Sequence, residues 1–218
     1  TIQNLAESYI EGMLHLQPVG PYRIAGWSSG GLIAYEIAYQ LIAAGKKVDF
    51  IGLIDTDRDY KQFYPEYEKP NGFVFDEMAK LLELLSILDI PSIVMKKLID
   101  LVKSKDYAAV LQLVKESCDV NNLPEYSFLR NFILICHNMD VASYHYCSPK
   151  LPTMITLFSA QDENDRSDFS LGWENMISDG LLQIIPLKGT HSSIMKKPYI
   201  GQLGNEMLRV IKSKDLSS

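Results

Sequence analysis

Residues 22–31 read YRIAGWSSGG and residues 32–44 continue as LIAYEIAYQLIAA, and this stretch decides the fold. The apolar residues at 22–27 form a run of strand length, whereas those at 32–44 recur at the spacing of an α-helix. Gly45 is well placed as the left-handed residue that ends such a helix. The stretch therefore predicts a buried strand, a tight glycine turn and a helix.

The chain on either side continues this alternation. Apolar residues at helical spacing predict an opening helix at 2–16 and a final helix at 207–211. Continuous apolar runs of strand length lie at 48–54, 153–159 and 182–187. A strand that follows a helix in this way indicates a right-handed crossover onto a parallel sheet. The fold class is therefore predicted to be α/β, with a mostly parallel sheet.

A long helical segment interrupts this sheet. Helical spacing is found at 73–88, 92–102, 107–114 and 128–144. An insertion of this length between consecutive strands is either a cap over an active site or a separate helical module. The chain is thus predicted to divide into a core segment at 1–59, a helical insertion at 60–149 and a second core segment at 150–218.

The glycine turn matches the motif G-x-S-x-G, with Ser28 in the central position. In this motif the serine occupies a strained strand-to-helix turn, and we expect the flanking Gly26 and Gly30 to leave room for the close backbone. A strand before the turn and a helix after it are the context that identifies Ser28 as a nucleophile of an α/β hydrolase. The backbone N–H of Ser29 is then expected to be one oxyanion donor. A second donor would come from a loop after an earlier strand, which does not lie in this sequence.

A serine nucleophile needs a histidine base, and the chain has four histidines. His191 follows the last predicted strand, where the chain order of α/β hydrolases places the base. We expect His15, His137 and His145 to be structural or exposed.

Two strand ends offer the acid that orients this histidine. Asp55 ends the strand after the nucleophile helix, whereas Asp162 and Asp165 follow the next core strand. Spacing alone leaves both positions open. The D-x-D-x-D spacing that starts at Asp55, with Glu66 at the twelfth position, also fits a calcium loop, but Tyr60 stands where that loop requires glycine.

Composition narrows the functional class. The formal net charge of −6 and the scattered Lys and Arg residues provide no phosphate-binding surface, so nucleic acid is not expected as a partner. No apolar run reaches the roughly 18 to 20 residues that span a bilayer, so we expect no membrane partner and a cytoplasmic protein. The 3 cysteines form no C-x-x-C pair, which argues against a metal site built on cysteines.

Several segments together resemble the thioesterase domains that end nonribosomal peptide and polyketide synthetases. The longest matching segment is GPYRIAGWSSGG at residues 20–31. Shorter ones are AYEIA at 34–38, LIDT at 53–56, LFSA at 157–160, GW at 172–173 and GTHS at 189–192. The similarity runs along nearly the whole chain, although residues 60–149 share with the family a helical insertion and not its sequence.

The resemblance implies an α/β-hydrolase fold in which residues 60–149 form the lid. It implies release of an acyl or peptidyl chain from the phosphopantetheine thiol of a carrier domain, through an acyl-Ser28 intermediate that water or an internal nucleophile resolves. Such domains use no metal or organic cofactor. The acid of the family's catalytic triad is similar in position to the aspartate of the LIDT segment, so the resemblance favours Asp55 over Asp162.

The sequence departs from the family at its start. The family has several strands and a glycine-rich oxyanion loop before the opening helix, so this chain is expected to lack the usual first strands. A preceding synthetase polypeptide or a complementing N-terminal fragment is therefore an expected partner. Alternative functions are a stand-alone editing thioesterase, an ester hydrolase, or a degenerate domain that binds a carrier-bound chain without turning it over.

Overall fold

A computed structural model of the chain describes residues 1–62, 80–81, 90–117, 126–162 and 168–215. Its strands are β1 (Tyr22–Trp27), β2 (Val48–Ile54), β3 (Ile155–Ala160) and β4 (Leu182–Leu187). Its helices are α1 (Ile2–Leu16), α2 (Ser29–Ala43), α3 (Ser92–Lys103), α4 (Tyr107–Ser117), α5 (Tyr126–Tyr144) and α6 (Ile200–Asp215), with a 3₁₀ turn at Tyr60–Gln62.

The chain forms two compact units, one of residues 1–65 and 142–218 and the other of residues 66–141. The first unit contains a four-stranded sheet with the order β1-β2-β3-β4, in which every described neighbour pair is parallel. The predicted α/β class with a parallel sheet is therefore confirmed. The division into segments at 59/60 and 149/150 stays a prediction.

Helices cover this sheet, and its two central strands, β2 and β3, are buried over most of their length. All six residues of β3 are buried, as expected for a parallel strand that is covered on both sides. Helix α2 contacts β1 and β2, and α1 contacts α2. Helix α6 contacts β2 and β4, where Leu203 and Val210 join Phe50, Ile54 and Phe158 in one apolar cluster.

The strand and helix bounds follow the sequence pattern closely. The predicted strands at 22–27, 48–54 and 182–187 are observed with the same bounds. Helix α6 contains the predicted helical residues 207–211 and begins earlier, at Ile200. Its first turns contain Gly201 and Gly204, which weakened the helical signal.

The second unit has its own apolar core. Leu81, Leu98, Val102, Val110 and Ile133 are all fully buried in one cluster, and α3 contacts α4. The predicted helices there are observed, except that the prediction at 73–88 lies outside the described residues apart from the helical pair 80–81.

Within that unit the buried Lys80 ammonium donates to the Asp140 carboxylate, so each charge has a partner away from water.

None of the described helices is both long enough and apolar enough to cross a membrane.

Candidate active site

Ser28 lies at the junction of β1 and α2, and its backbone has φ 55° and ψ −132°. A positive φ is costly for a residue with a side chain, and such strain persists only where the surroundings hold it. Here the Ser28 N–H donates to the Ile54 carbonyl over 3.0 Å, and the Gly31 N–H donates to the Ser28 carbonyl over 2.9 Å. The turn is therefore fixed from both sides, by β2 and by the start of α2.

The glycines that allow this turn are only partly those expected. A Cβ on Gly26 would lie 2.1 Å from the Gly30 carbonyl oxygen, and one on Gly31 would lie 1.9 Å from Thr56 Oγ1. A Cβ on Gly30 would meet no described atom within 4 Å. The expectation that Gly26 and Gly30 together make room was wrong for Gly30: the second close approach is at Gly31, where the first turn of α2 passes Thr56.

His191 bridges Ser28 and Asp55. Its Nε2 lies 3.0 Å from Ser28 Oγ, and its Nδ1 lies 2.8 Å from Asp55 Oδ2. Because an ionised carboxylate only accepts hydrogen bonds, Nδ1 carries the proton and Nε2 of the neutral ring accepts from the Ser28 hydroxyl. The structure thus brings together the three side chains that the sequence singled out.

Asp55 is held from two directions. Its backbone has φ 44°, and its N–H donates to the Phe158 carbonyl over 2.7 Å. Its Oδ1 accepts from the Ala160 N–H over 2.8 Å, which leaves Oδ2 directed at His191. The side chain is fully buried, so these partners on β3 and the imidazole replace the water that would otherwise solvate the charge.

The competing acid, Asp162, follows β3 and contacts a different residue. Its Oδ2 accepts from the Gly189 N–H over 2.8 Å, and its own N–H donates to the Gly189 carbonyl over 3.1 Å. Asp162 therefore clamps the segment that leads to His191 and does not bond to the imidazole. Asp165 lies outside the described residues.

The other three histidines lie outside the loop that contains His191. His15 is exposed on α1, His137 is buried on α5 in the second unit, and His145 is exposed with its ring edge-on to Tyr144. Ser29 is the first residue of α2, so its N–H belongs to the first turn, where backbone donors have no partner inside the helix.

Sequence reasoning missed one contact of the site. The indole of Trp27 stacks on the His191 imidazole with ring centroids 5.2 Å apart, and Trp27 Nε1–H donates to the His191 carbonyl over 3.2 Å. The motif allows any residue between Gly26 and Ser28, so the sequence pattern did not predict a role for Trp27.

Several other buried polar groups of the first unit have hydrogen-bond partners. Trp173 Nε1–H donates to the Thr56 carbonyl over 2.8 Å, and the Tyr146 hydroxyl donates to Glu36 Oε2 over 2.7 Å. Burial, reinforced by the adjacent Glu36 carboxylate, raises the pKa of Tyr146 well above its ordinary value. Burial likewise raises the pKa of Tyr35, whose hydroxyl donates to the Pro149 carbonyl.

A sequence model of the thioesterase domain family matches residues 1–118, which is more than half of the chain. The chain belongs to the thioesterase domain family. This match, together with the peptide and polyketide synthases described next, confirms the predicted resemblance to the thioesterase domains of such synthetases.

Individual relatives agree with this assignment. N-(5-amino-5-carboxypentanoyl)-L-cysteinyl-D-valine synthase of Penicillium rubens is 45% identical over 56 residues, which are 26% of this chain and 2% of that synthase. The non-reducing polyketide synthase terA of Aspergillus terreus is 23% identical over 210 residues, or 96% of this chain and 9% of that protein. This thioesterase-family chain thus spans a small part of the length of its curated relatives.

A solved structure shares the fold over almost the whole chain. A four-domain nonribosomal peptide synthetase bound to AMP and glycine superposes with a TM-score of 0.73 and 29% identity, covering 96% of this chain and 16% of that one. The NocB thioesterase domain also superposes, with a TM-score of 0.63 and 20% identity over 96% of this chain and 74% of that one, so the parallel sheet and its helices have the fold of a thioesterase α/β hydrolase.

Proposed function

We propose that this thioesterase-family chain releases an acyl or peptidyl chain from the phosphopantetheine thiol of a carrier domain through an acyl-Ser28 intermediate. The observation that carries the proposal is the hydrogen-bonded series Ser28–His191–Asp55, with spacings of 3.0 and 2.8 Å. Membership of the thioesterase family supports a thioester as the substrate.

In the acylation half-reaction Ser28 Oγ attacks the thioester carbonyl carbon while His191 Nε2 takes the hydroxyl proton. The carbonyl oxygen becomes an oxyanion, to which the Ser29 N–H donates at the positive end of α2. Collapse of this tetrahedral intermediate breaks the C–S bond. The imidazolium returns its proton to the departing sulfur, and the acyl group stays on Ser28. Asp55 holds the imidazole in the tautomer that this sequence requires.

The second half-reaction uses the same base. His191 removes a proton from water, or from an amine or hydroxyl of the bound chain, and the resulting nucleophile attacks the acyl-Ser28 carbonyl. Water yields a free carboxylic acid, whereas an internal nucleophile yields a ring. In both routes the tetrahedral intermediate collapses with loss of Ser28 Oγ, and the imidazolium returns its proton to that oxygen, which regenerates the free serine. This acid–base chemistry is proposed to proceed without a metal or an organic cofactor. The carrier domain and the synthetase polypeptide that bears it are the partners that this reaction requires.

Labelling of the nucleophile tests the proposal. A fluorophosphonate probe, which reacts only with an activated serine, should form one adduct on the parent chain, located at Ser28 by peptide mass spectrometry. An acyl thioester should transfer its acyl group to the same residue. Ser28→Ala should abolish both adducts without loss of structure, because the elbow is shaped by its backbone and not by the hydroxyl.

The matched control is Ser8→Ala, which removes an exposed serine hydroxyl on α1 and should leave labelling at the parent level. An adduct of equal intensity in Ser28→Ala would refute the assignment. A folded parent that neither probe modifies would refute the proposed function.

A further inference from the structure

Trp27 contacts the proposed base through two different groups. It is the last residue of β1 and directly precedes Ser28. Its indole stacks on the His191 ring, with centroids 5.2 Å apart and the planes inclined by 27°. Its Nε1–H donates to the His191 backbone carbonyl over 3.2 Å. One side chain therefore constrains both the ring and the backbone of His191.

The imidazole needs such a constraint because of where it lies. His191 belongs to the loop between β4 and α6, and its side chain is 39% exposed. The hydrogen bond that Nδ1 donates to Asp55 and the one that Nε2 accepts from Ser28 fix a line through the ring. They do not fix the tilt of the ring plane about that line. A flat group in contact with the ring face restricts this remaining rotation.

Trp27 is itself a rigid support. It pairs with Ile54 in the β1–β2 register, one residue before Asp55. Its ring packs against the apolar cluster that contains Phe50, Ile54 and Phe158. The indole therefore connects the sheet core to the histidine loop at His191, whereas the Asp162–Gly189 clamp holds the same loop two residues earlier.

We propose that Trp27 is a positioning residue for His191, an inference that rests on the proposed function. It holds the imidazole plane so that Nε2 faces Ser28 Oγ. It also presents an electron-rich face to the imidazolium that forms when His191 takes the Ser28 proton. The first effect sets the geometry of attack, and the second stabilises the charged ring that is formed in that step.

Substitution at this position should separate the two contacts. Trp27→Leu removes the aromatic face and the donor, and we expect kcat and the rate of fluorophosphonate labelling to fall by about ten- to a hundred-fold. Trp27→Phe keeps an aromatic face and loses only the donor, so it should recover most of the lost rate. KM should stay close to the parent value in both variants, because Trp27 acts on the base and not on the bound chain.

A spectroscopic signal reports the stack directly. The indole ring current should shift the His191 ring protons upfield, and these NMR signals are assigned by their loss in His191→Gln. The shift should persist in Trp27→Phe and disappear in Trp27→Leu. Met207→Ala is the matched control, since Met207 packs against the same apolar cluster from α6 and should change neither the labelling rate nor these signals.

The outcomes distinguish this inference from the proposed function. A parent chain that does not label refutes the proposed function, whatever the Trp27 variants do. A parent that labels, with Trp27→Leu labelling at the same rate, overturns the role of Trp27. If Trp27→Leu does not fold, the test uses Trp27→Phe and the spectrum of the parent. Unshifted His191 ring protons in the parent overturn the inference. Shifted ring protons that are retained in an active Trp27→Phe support it.

Discussion

Among single residues, Asp55 and Asp162 have different hydrogen-bond partners although each follows a strand of the same sheet. Asp55 accepts from the Ala160 N–H and from His191, whereas Asp162 accepts from the Gly189 N–H. Both follow core strands of a parallel sheet, so both reach the same edge of it. The partner of each carboxylate depends on side-chain direction at the strand end, which spacing along the chain does not specify.

Asp55→Asn should therefore lower turnover far more than Asp162→Asn. An amide at position 55 can donate to Nδ1, which favours the wrong tautomer of His191, and an equivalent change in serine proteases costs about 10⁴ in kcat. An amide at position 162 still offers an oxygen to the Gly189 N–H, so the clamp survives. Single-turnover acylation with an acyl thioester, measured on both variants, checks this. Equal losses would mean that Asp55 does not act through the tautomer of His191.

At the scale of elements, the sequence predicted the strands well because their apolar runs are short, continuous and bounded by polar residues. Three strands have the predicted bounds, and Gly45 adopts the expected positive φ of 71° after α2. The serine turn was also located correctly. What the motif could not reveal is which glycine is sterically required, since that depends on how close Thr56 comes to α2.

This difference between glycines predicts opposite effects on stability. Gly26→Ala places a methyl group against the Gly30 backbone, which is less able to yield than a side chain, and should destabilise the fold by about 1 to 3 kcal/mol or more. Gly30→Ala places the same group in open space within the first turn of α2, where alanine favours the helix by up to about 1 kcal/mol.

Urea unfolding followed by circular dichroism measures both changes against the parent. The same methyl group is added four residues apart, so each variant serves as the control for the other. If Gly30→Ala lost as much stability as Gly26→Ala, the close approach would not be confined to Gly26 and Gly31.

At the scale of the whole molecule, residues that are far apart in the chain close the first unit through buried polar pairs. Tyr146 follows α5 and donates to Glu36 on α2, and Tyr35 on the same helix donates to the Pro149 carbonyl. These pairs could not be predicted from the sequence, because the residues that pair lie far apart along the chain. They attach the residues after the helical segment to the helix that begins at Ser29.

These pairs predict a specific dependence of stability on alkaline pH. The folded state raises the pKa of Tyr146 above its ordinary value, first by burial and then through Glu36. Since the raised pKa favours the protonated form, the contribution of Tyr146 to stability is fully present below about pH 10 and is lost as the pH rises beyond it. At pH 11 Tyr146 is mostly ionised in the unfolded chain and protonated in the folded chain. This difference lowers the free energy of unfolding by about 1.4 kcal/mol.

Tyr146→Phe should consequently lower the stability at pH 8 and reduce the loss of stability between pH 8 and pH 11. Near pH 8 it should destabilise the chain by about 1 to 3 kcal/mol, because a buried oxygen of Glu36 loses its donor while Oε1 keeps the bond from Gln40. Between pH 8 and pH 11 the parent should lose about 1.4 kcal/mol more than the variant, so the gap between them narrows. Urea unfolding at both pH values gives the two free energies, and Tyr9→Phe, at an exposed position on α1, should keep a constant small difference from the parent. A gap between parent and Tyr146→Phe that stays the same at both pH values would show that Tyr146 ionises equally in the folded and unfolded chain, and the buried pair with Glu36 would then not be what holds this segment to α2.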